Sequence, residues 1–188
     1  MQTETSPSPV LTDSNNCCPS ITVTGIDART PVDELPGGIE IGILFTVLPE
    51  GRHRYPSRSR IAKMLRMLDG QSMALHVCGR AARQLLMDYQ IPDLTHGVDR
   101  IQVNGDIMPD DLRMICDLYG DHQIITQHSH RTRDLLMVGA SNHAVLVDGS
   151  GGRGISPDKW ERPKTPKPVG FAGGLGPDNI ASEIEVIS

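Results

Sequence analysis

From residue 20 onward the chain alternates between two hydrophobic rhythms. Short, nearly unbroken apolar runs occur at ITVTGI (21–26), IEIGILFT (39–46), SMALHVC (72–78), VDRIQVN (98–104), QIITQHS (123–129), HAVLVDG (143–149) and KPVGFAGG (167–174). Runs of this length and density suit strands buried on both faces, because a strand with one wet face alternates polar with apolar residues. Between them the apolar positions spread to a helical spacing. PSRSRIAKMLRML (56–68) puts Ile61, Leu65 and Leu68 on one face with Met64 beside them, and RAARQLLMDY (80–89) follows the same rule. MPDDLRMICDLYG (108–120) opens with Pro109 and two acids and closes on Gly120, a helix start and stop in the favoured order. SHRTRDLLMV (129–138) predicts a shorter helix, and GPDNIASEIEVIS (176–188) spaces Ile180, Ile184 and Ile187 at helical intervals. DARTPVDELPGG (27–38) leaves room for barely two turns.

Strands alternating with helices predict a parallel sheet wrapped by helices. An open doubly wound sheet and a (β/α) barrel both satisfy the pattern, and in either one the site belongs at the carboxyl ends of the strands. Thr24, Asn104, Ser129, Asp148, Gly173 and Gly174 all fall there.

Composition narrows the picture. Residues 1–19 are rich in Ser, Thr, Pro and Asn, too polar to offset their ordering entropy, so a disordered tail is expected ahead of one domain over 20–188. With two Phe, three Tyr and one Trp, the core must be aliphatic. A net charge of −5 argues against a nucleic-acid partner, whose affinity rests on clustered Lys and Arg. The crowded cations Arg52, Arg54, Arg58, Arg60, Lys63 and Arg66 read as a solvated helix face. Neither a membrane span nor a signal peptide is visible, so a cytoplasmic protein acting on a small molecule is expected. Cys17 and Cys18 sit together in the tail while Cys78 and Cys116 stand apart, which makes neither a zinc spacing nor a disulfide framework.

The glycines suggest the chemistry. GSGGRG (149–154) and AGGLGPDN (172–179) follow consecutive predicted strands, and loops of this kind let backbone N–H groups approach an anion unobstructed. The second runs straight into a helix, whose N-terminus adds partial positive charge. Asp148 lies beside them, where a carboxyl group can serve as general acid or base.

DGSGGRGISPDKW (148–160) followed by PVGFAGGLGPDNI (168–180) resembles phosphoribosylanthranilate isomerase, the barrel enzyme of tryptophan biosynthesis. That family carries an aspartate at the end of strand six, a Gly-Gly-Thr-Gly run leading to Phe-Asp-Trp, then a strand ending in Ala/Ser-Gly-Gly-Leu with Pro-Glu-Asn-Val opening a helix. ITVTGIDARTPVDEL is similar to its opening Lys-Ile-Cys-Gly-Ile-Thr segment, GILFTVLPEGRHRYPSRSRIAKML to its second strand and loop, and RIQVNGD to its Gln-Leu-His-Gly-Glu. The resemblance spans about residues 20–188, specific in the last third and loose elsewhere. It implies a (β/α)8-type TIM barrel and an Amadori rearrangement of a phosphorylated aminosugar, without a cofactor. Asp148 would be the general acid and Arg54 the carboxylate anchor. Gln102 and Asn104 would lie against substrate, Gly173 and Gly174 in the phosphate loop, and Gly152 and Gly154 in the loop beside Asp148. Trp160 would serve packing.

Two departures from the family pattern follow. The family's general base is a cysteine at the end of strand one, where this chain has Thr24. A threonine hydroxyl is far too weak an acid to replace a thiolate, so Asp27 or Cys78 would have to stand in. The family also continues with an eighth strand and helix, so about seven βα units, incomplete at the C-terminus, are expected here. Either the sequence is a fragment, or its two free edges pair with another chain, as in a homo-oligomer, or this member has lost a strand.

Two other chemistries compete with the rearrangement. His122, His128, His130 and His143 crowd the second half, with His76 before them, and HSH after the fifth strand, with Asp148, sketches the metal site of a sugar-phosphate epimerase. One His-x-His is a weak signal, and no metal is expected. A Schiff-base aldolase is disfavoured because Lys159, Lys164 and Lys167 fall in one loop. A barrel that has lost its base and only binds a phosphosugar is the non-enzymatic alternative.

Overall fold

A computed structural model of the 188-residue chain describes residues 20–26, 30–31, 34, 37–47, 54–150 and 153–187. The expected tail, Asp27 and Gly152 lie outside the described residues. Elements follow in the order β1 (Thr22–Thr24), β2 (Glu40–Phe45), α1 (Arg58–Met67), β3 (Met73–Cys78), α2 (Arg80–Met87), α3 (Pro92–Thr95), β4 (Arg100–Asn104) and α4 (Pro109–Leu118). Then come β5 (Gln123–His128), a 3-10 segment (His130–Met137), β6 (His143–Asp148), β7 (Val169–Ala172) and α5 (Ile180–Ile187). Each strand matches one apolar run in the sequence.

All seven strands pair in parallel, in chain order from β1 to β7. No strand order reverses, so the doubly wound alternative is excluded: a doubly wound sheet has a switch point and this one has none. The sheet is also curled. In a flat sheet β1 and β4 would stand about 14 Å apart, three strand spacings. Yet Arg100 Nη2 on β4 donates to Thr22 Oγ1 on β1 at 2.9 Å, across the concave face. Arg100 Nε also donates to Glu40 Oε1 on β2 at 2.5 Å, its Nη2 pairs with Glu40 Oε2, and Thr22 Oγ1 donates to Glu40 Oε2 at 2.7 Å. One guanidinium thus ties three strands together at their amino ends.

The register sorts the strand residues into two faces. The convex face carries Ile41, Ile43, Phe45, Met73, Leu75, Val77, Ile101, Val103 and Ile124, all buried, and the helices lie against it. Ile61, Met64, Leu65 and Leu68 of the α1 region, Leu86 of α2 and Leu112 and Ile115 of α4 complete this core, as their spacing predicts. Arg58 fastens α1 to α3 through Asp93, with Nε to Oδ2 at 3.0 Å. The concave face is mixed: Glu40, His76, Arg100, Gln102 and Asn104 register beside Gly42, Ala74 and Cys78, and the same face carries Leu44, Ile125 and Leu146.

At three places the structure departs from the sequence pattern or adds to it. Residues 130–137 form a 3-10 segment broken at Thr132 instead of an α-helix. Its own side chains take the backbone partners a helix needs: Thr132 Oγ1 accepts from Ser129 N at 2.8 Å and donates to Gln127 O at 2.8 Å, while Ser129 Oγ accepts from Arg131 N. The single turn α3 has no sequence signature, being too short to show a helical period. No residue of α5 is fully buried, and Val186 is 71 % exposed. Trp160 joins this end of the molecule together, edge-on to Phe171 of β7 at 5.8 Å and donating from Nε1 to Glu183 of α5 at 2.6 Å. That is the packing task expected of it.

Candidate functional site at the carboxyl ends of the strands

The carboxyl ends of β3 to β6 place four side chains along one arc. Cys78 closes β3 and registers with Asn104, which closes β4. Gln127 follows on β5, and Asp148 ends β6. Hydrogen bonds join them. Gln102 Nε2 donates to Asn104 Oδ1 at 2.7 Å, which fixes the Asn104 amide so that its Nδ2 donates to Cys78 Sγ at 3.1 Å. The Gly105 amide donates to Gln127 Oε1 at 3.4 Å, turning Gln127 Nε2 towards Asp148 Oδ2, also at 3.4 Å. A thiol and a carboxylate therefore stand at opposite ends of a line of oriented amides.

Cationic groups gather on the thiol side. Burial pushes the Cys78 thiol above its ordinary value, while hydrogen bonds from Asn104 and Tyr55 and the nearby charges of Arg54 and Arg83 pull it back. Arg54 is exposed, its guanidinium 5.9 Å from the Tyr55 ring centre. Arg83 reaches from α2 to donate to Asn104 O at 2.6 Å and lies against Gly105, where a Cβ would meet its Nη1 at 3.0 Å. Neither arginine forms an ion pair among the described residues.

On the carboxylate side the two glycine loops interlock. Gly173 and Gly174 have φ of +111° and +65°, a region glycine occupies without strain. A Cβ on Gly173 would lie 2.9 Å from Ile155 O and 3.3 Å from Asp148 Oδ1, and one on Gly174 would lie 2.2 Å from Ser156 Oγ. The glycines thus let the loop after β7 sit directly on the loop after β6. Asn179 clamps the second loop, donating to Gly174 O and accepting from Gly176 N, both at 2.8 Å. Asp148 Oδ1 accepts from Ser150 N at 3.0 Å and from Ser150 Oγ at 2.8 Å. Ser150 Oγ in turn accepts from the amides of Arg153 and Gly154, each at 3.1 Å.

The structure therefore brings Asp148 together with Gly154, Gly173 and Gly174, and brings Gln102 and Asn104 together with Cys78 and Arg54. Thr24 ends β1 on the concave face, exposed, and its side chain makes no hydrogen bond among the described residues. Ser150, Gln127 and Arg83 are the site residues that sequence reasoning passed over. Ser150 had a signal, as the one side chain within the Gly149–Gly152 run, two residues after the aspartate. Arg83 had none, since a helical arginine reads as solvated surface.

The histidines are dispersed. His76 lies buried on the concave face beside Gly42, held neutral by burial and by Arg100, with its pKa pushed down to about 4. His143 is buried on the opposite face, paired through Nε2 with Thr126 Oγ1 at 2.8 Å. Among the described residues no three His, Cys, Asp or Glu side chains are grouped to hold a metal ion. Nor, among them, is any helix long and apolar enough to cross a membrane. No protein-family model, curated protein or solved structure matches the chain.

Proposed function

We propose that the curled sheet is that of a (β/α)8-type barrel related to phosphoribosylanthranilate isomerase, and that the chain rearranges a phosphorylated aminosugar. The observation that carries this reading is the arc from Cys78 to Asp148 beside the interlocked glycine loops. An Amadori rearrangement needs an acid and a base held apart on one face of the sugar. Asp148 gives a proton to the ring oxygen as the C1–O bond breaks, and the ring opens to an iminium. The Cys78 thiolate takes the proton from C2 and the electron pair moves into a C1–C2 double bond. The enolamine becomes the 1-amino-ketose as C1 gains a proton and the C2 hydroxyl loses one. The substrate and product are isomers: protons enter at the ring oxygen and C1 and leave from C2 and its hydroxyl. Arg54 and Arg83 face the substrate's second anionic group, and the loop around Gly173 and Gly174 supports its phosphate.

This reading moves the base from the end of strand one, where Thr24 stands, to the end of strand three. Turnover of phosphoribosylanthranilate, followed by loss of its anthranilate fluorescence, tests it in the wild type, Asp148→Asn and Cys78→Ser. Each variant should lose roughly 10²- to 10⁴-fold in kcat while staying folded by circular dichroism. Because burial raises the thiol, wild-type turnover should climb on the alkaline side of neutrality. A folded wild type that binds the sugar without turnover would replace the isomerase with a binding barrel, and a fully active Cys78→Ser would remove Cys78 from the chemistry.

A further inference from the structure

Ser150 is a buried hydroxyl, 6 % exposed, inside a glycine-rich loop. Its hydrogen-bonding capacity is fully assigned. A serine oxygen has two lone pairs and one proton. The amides of Arg153 and Gly154 converge on the oxygen, each at 3.1 Å, and use the lone pairs. The proton then has one acceptor within reach, Asp148 Oδ1 at 2.8 Å. The Ser150 amide donates to the same carboxylate oxygen at 3.0 Å. Oδ1 therefore accepts from both the amide and the hydroxyl of Ser150.

We propose that Ser150 is the positioning residue of Asp148, holding the rotation of its carboxyl group. Gln127 Nε2 lies 3.4 Å from the other carboxylate oxygen, Oδ2, along the arc. Gly173 closes the arrangement from above, its missing Cβ leaving the space against Asp148 Oδ1 and Ser150 Oγ. The charged neighbour on the same loop, Arg153, is turned away from the carboxylate, with Nε donating to Ser150 O at 2.9 Å. Ser150 thus fixes the rotation of the carboxyl group. The catalytic part of this inference rests on the function proposed above, and the hydrogen-bond assignment does not.

The test has two arms. In ¹H–¹⁵N spectra, Ser150→Ala should move the Arg153 and Gly154 amide protons upfield, because they lose their acceptor. Asp148→Asn should move the same two amides in the same direction, although neither touches residue 148, because a hydroxyl that donates to a charge is a better acceptor. Amides that respond to Ser150→Ala but not to Asp148→Asn would overturn the assignment, as would amides that respond to neither. In turnover, Ser150→Ala should lower kcat roughly 10- to 100-fold with KM held within about twofold, and Ser150→Thr, which keeps the hydroxyl, should restore most of it. Unchanged kcat in Ser150→Ala, or no rescue by threonine, would overturn the positioning role. Ser150→Cys, close in shape and a weak donor, replaces the alanine variant in both arms if that fails to fold. If the wild type shows no turnover, the function fails and the amide arm alone decides for or against Ser150.

Discussion

The tie between Arg100, Glu40 and Thr22 makes the curl of the sheet measurable. Glu40 is 4 % exposed and Arg100 21 %, so replacing Arg100 by leucine leaves a buried carboxylate with one short-range donor, the Thr22 hydroxyl. Breaking a buried pair from one side costs about 3–5 kcal/mol. Water still reaches part of the Arg100 side chain, which places the expectation at the lower end, about 3 kcal/mol. For a domain of this size that is a fall in Tm of roughly 6–12 °C. Replacing Glu40 as well should recover at least about 2 kcal/mol, because two well-packed leucines carry no uncompensated charge. Urea unfolding of the two single variants and the double variant, closed as a thermodynamic cycle, gives the coupling directly. An Arg100→Leu variant within about 0.5 kcal/mol of wild type would refute the reasoning. The guanidinium would then not hold Glu40, and the inference that β4 is drawn in towards β1 would lose its support.

Two further outcomes follow from close contacts and from burial. Gly174→Ala should cost about 2–5 kcal/mol, since it combines a left-handed φ of +65° with a Cβ 2.3 Å from Ser156 N, whereas Gly170→Ala, whose Cβ would meet only the Leu146 side chain at 3.3 Å, should stay within about 1 kcal/mol; equal denaturation midpoints would show that the two loops do not interlock. His76 is depressed from 6.5 to about 4 when folded, so the unfolded chain binds its proton first, and stability present above pH 6.5 should fall by roughly 3 kcal/mol as the pH drops towards 4. His76→Gln should flatten that part of the pH–stability curve, and an identical slope in urea titrations at stepped pH would assign the acid sensitivity elsewhere.

The strands were legible because parallel strands buried on both sides concentrate Val, Ile and Leu, and seven such runs became seven strands. Their curl was less legible, since the winding follows from strand order and closure contacts that no single segment encodes. RIQVN does hint at it: alternating Arg100, Gln102 and Asn104 with Ile101 and Val103 marks one polar and one apolar face in a strand that is nonetheless covered. The carboxyl-end location of the site follows from the alternation alone. Its hydrogen bonding does not. Cys78 and Asn104 lie 26 residues apart in the chain, and their contact is created by strand register.

Residues 130–137 and 149–154 show why local pattern failed in one place and hid information in another. In both, a hydroxyl competes for backbone groups: Thr132 and Ser129 divert the amides and carbonyls a helix would have used, and Ser150 gathers two loop amides onto one oxygen. In the first case the result is a tighter helical turn than the apolar spacing predicts. In the second, two of the amides that a glycine loop offers to an anion, those of Arg153 and Gly154, are already occupied, and the hydroxyl passes their polarity on to Asp148. An anion that takes the Gly154 amide must therefore displace Ser150 from it, which couples occupancy of this loop to the hydrogen bonding of the carboxylate. Glycine content alone describes an accessible backbone; the serine among the glycines determines where that backbone's hydrogen bonds are directed.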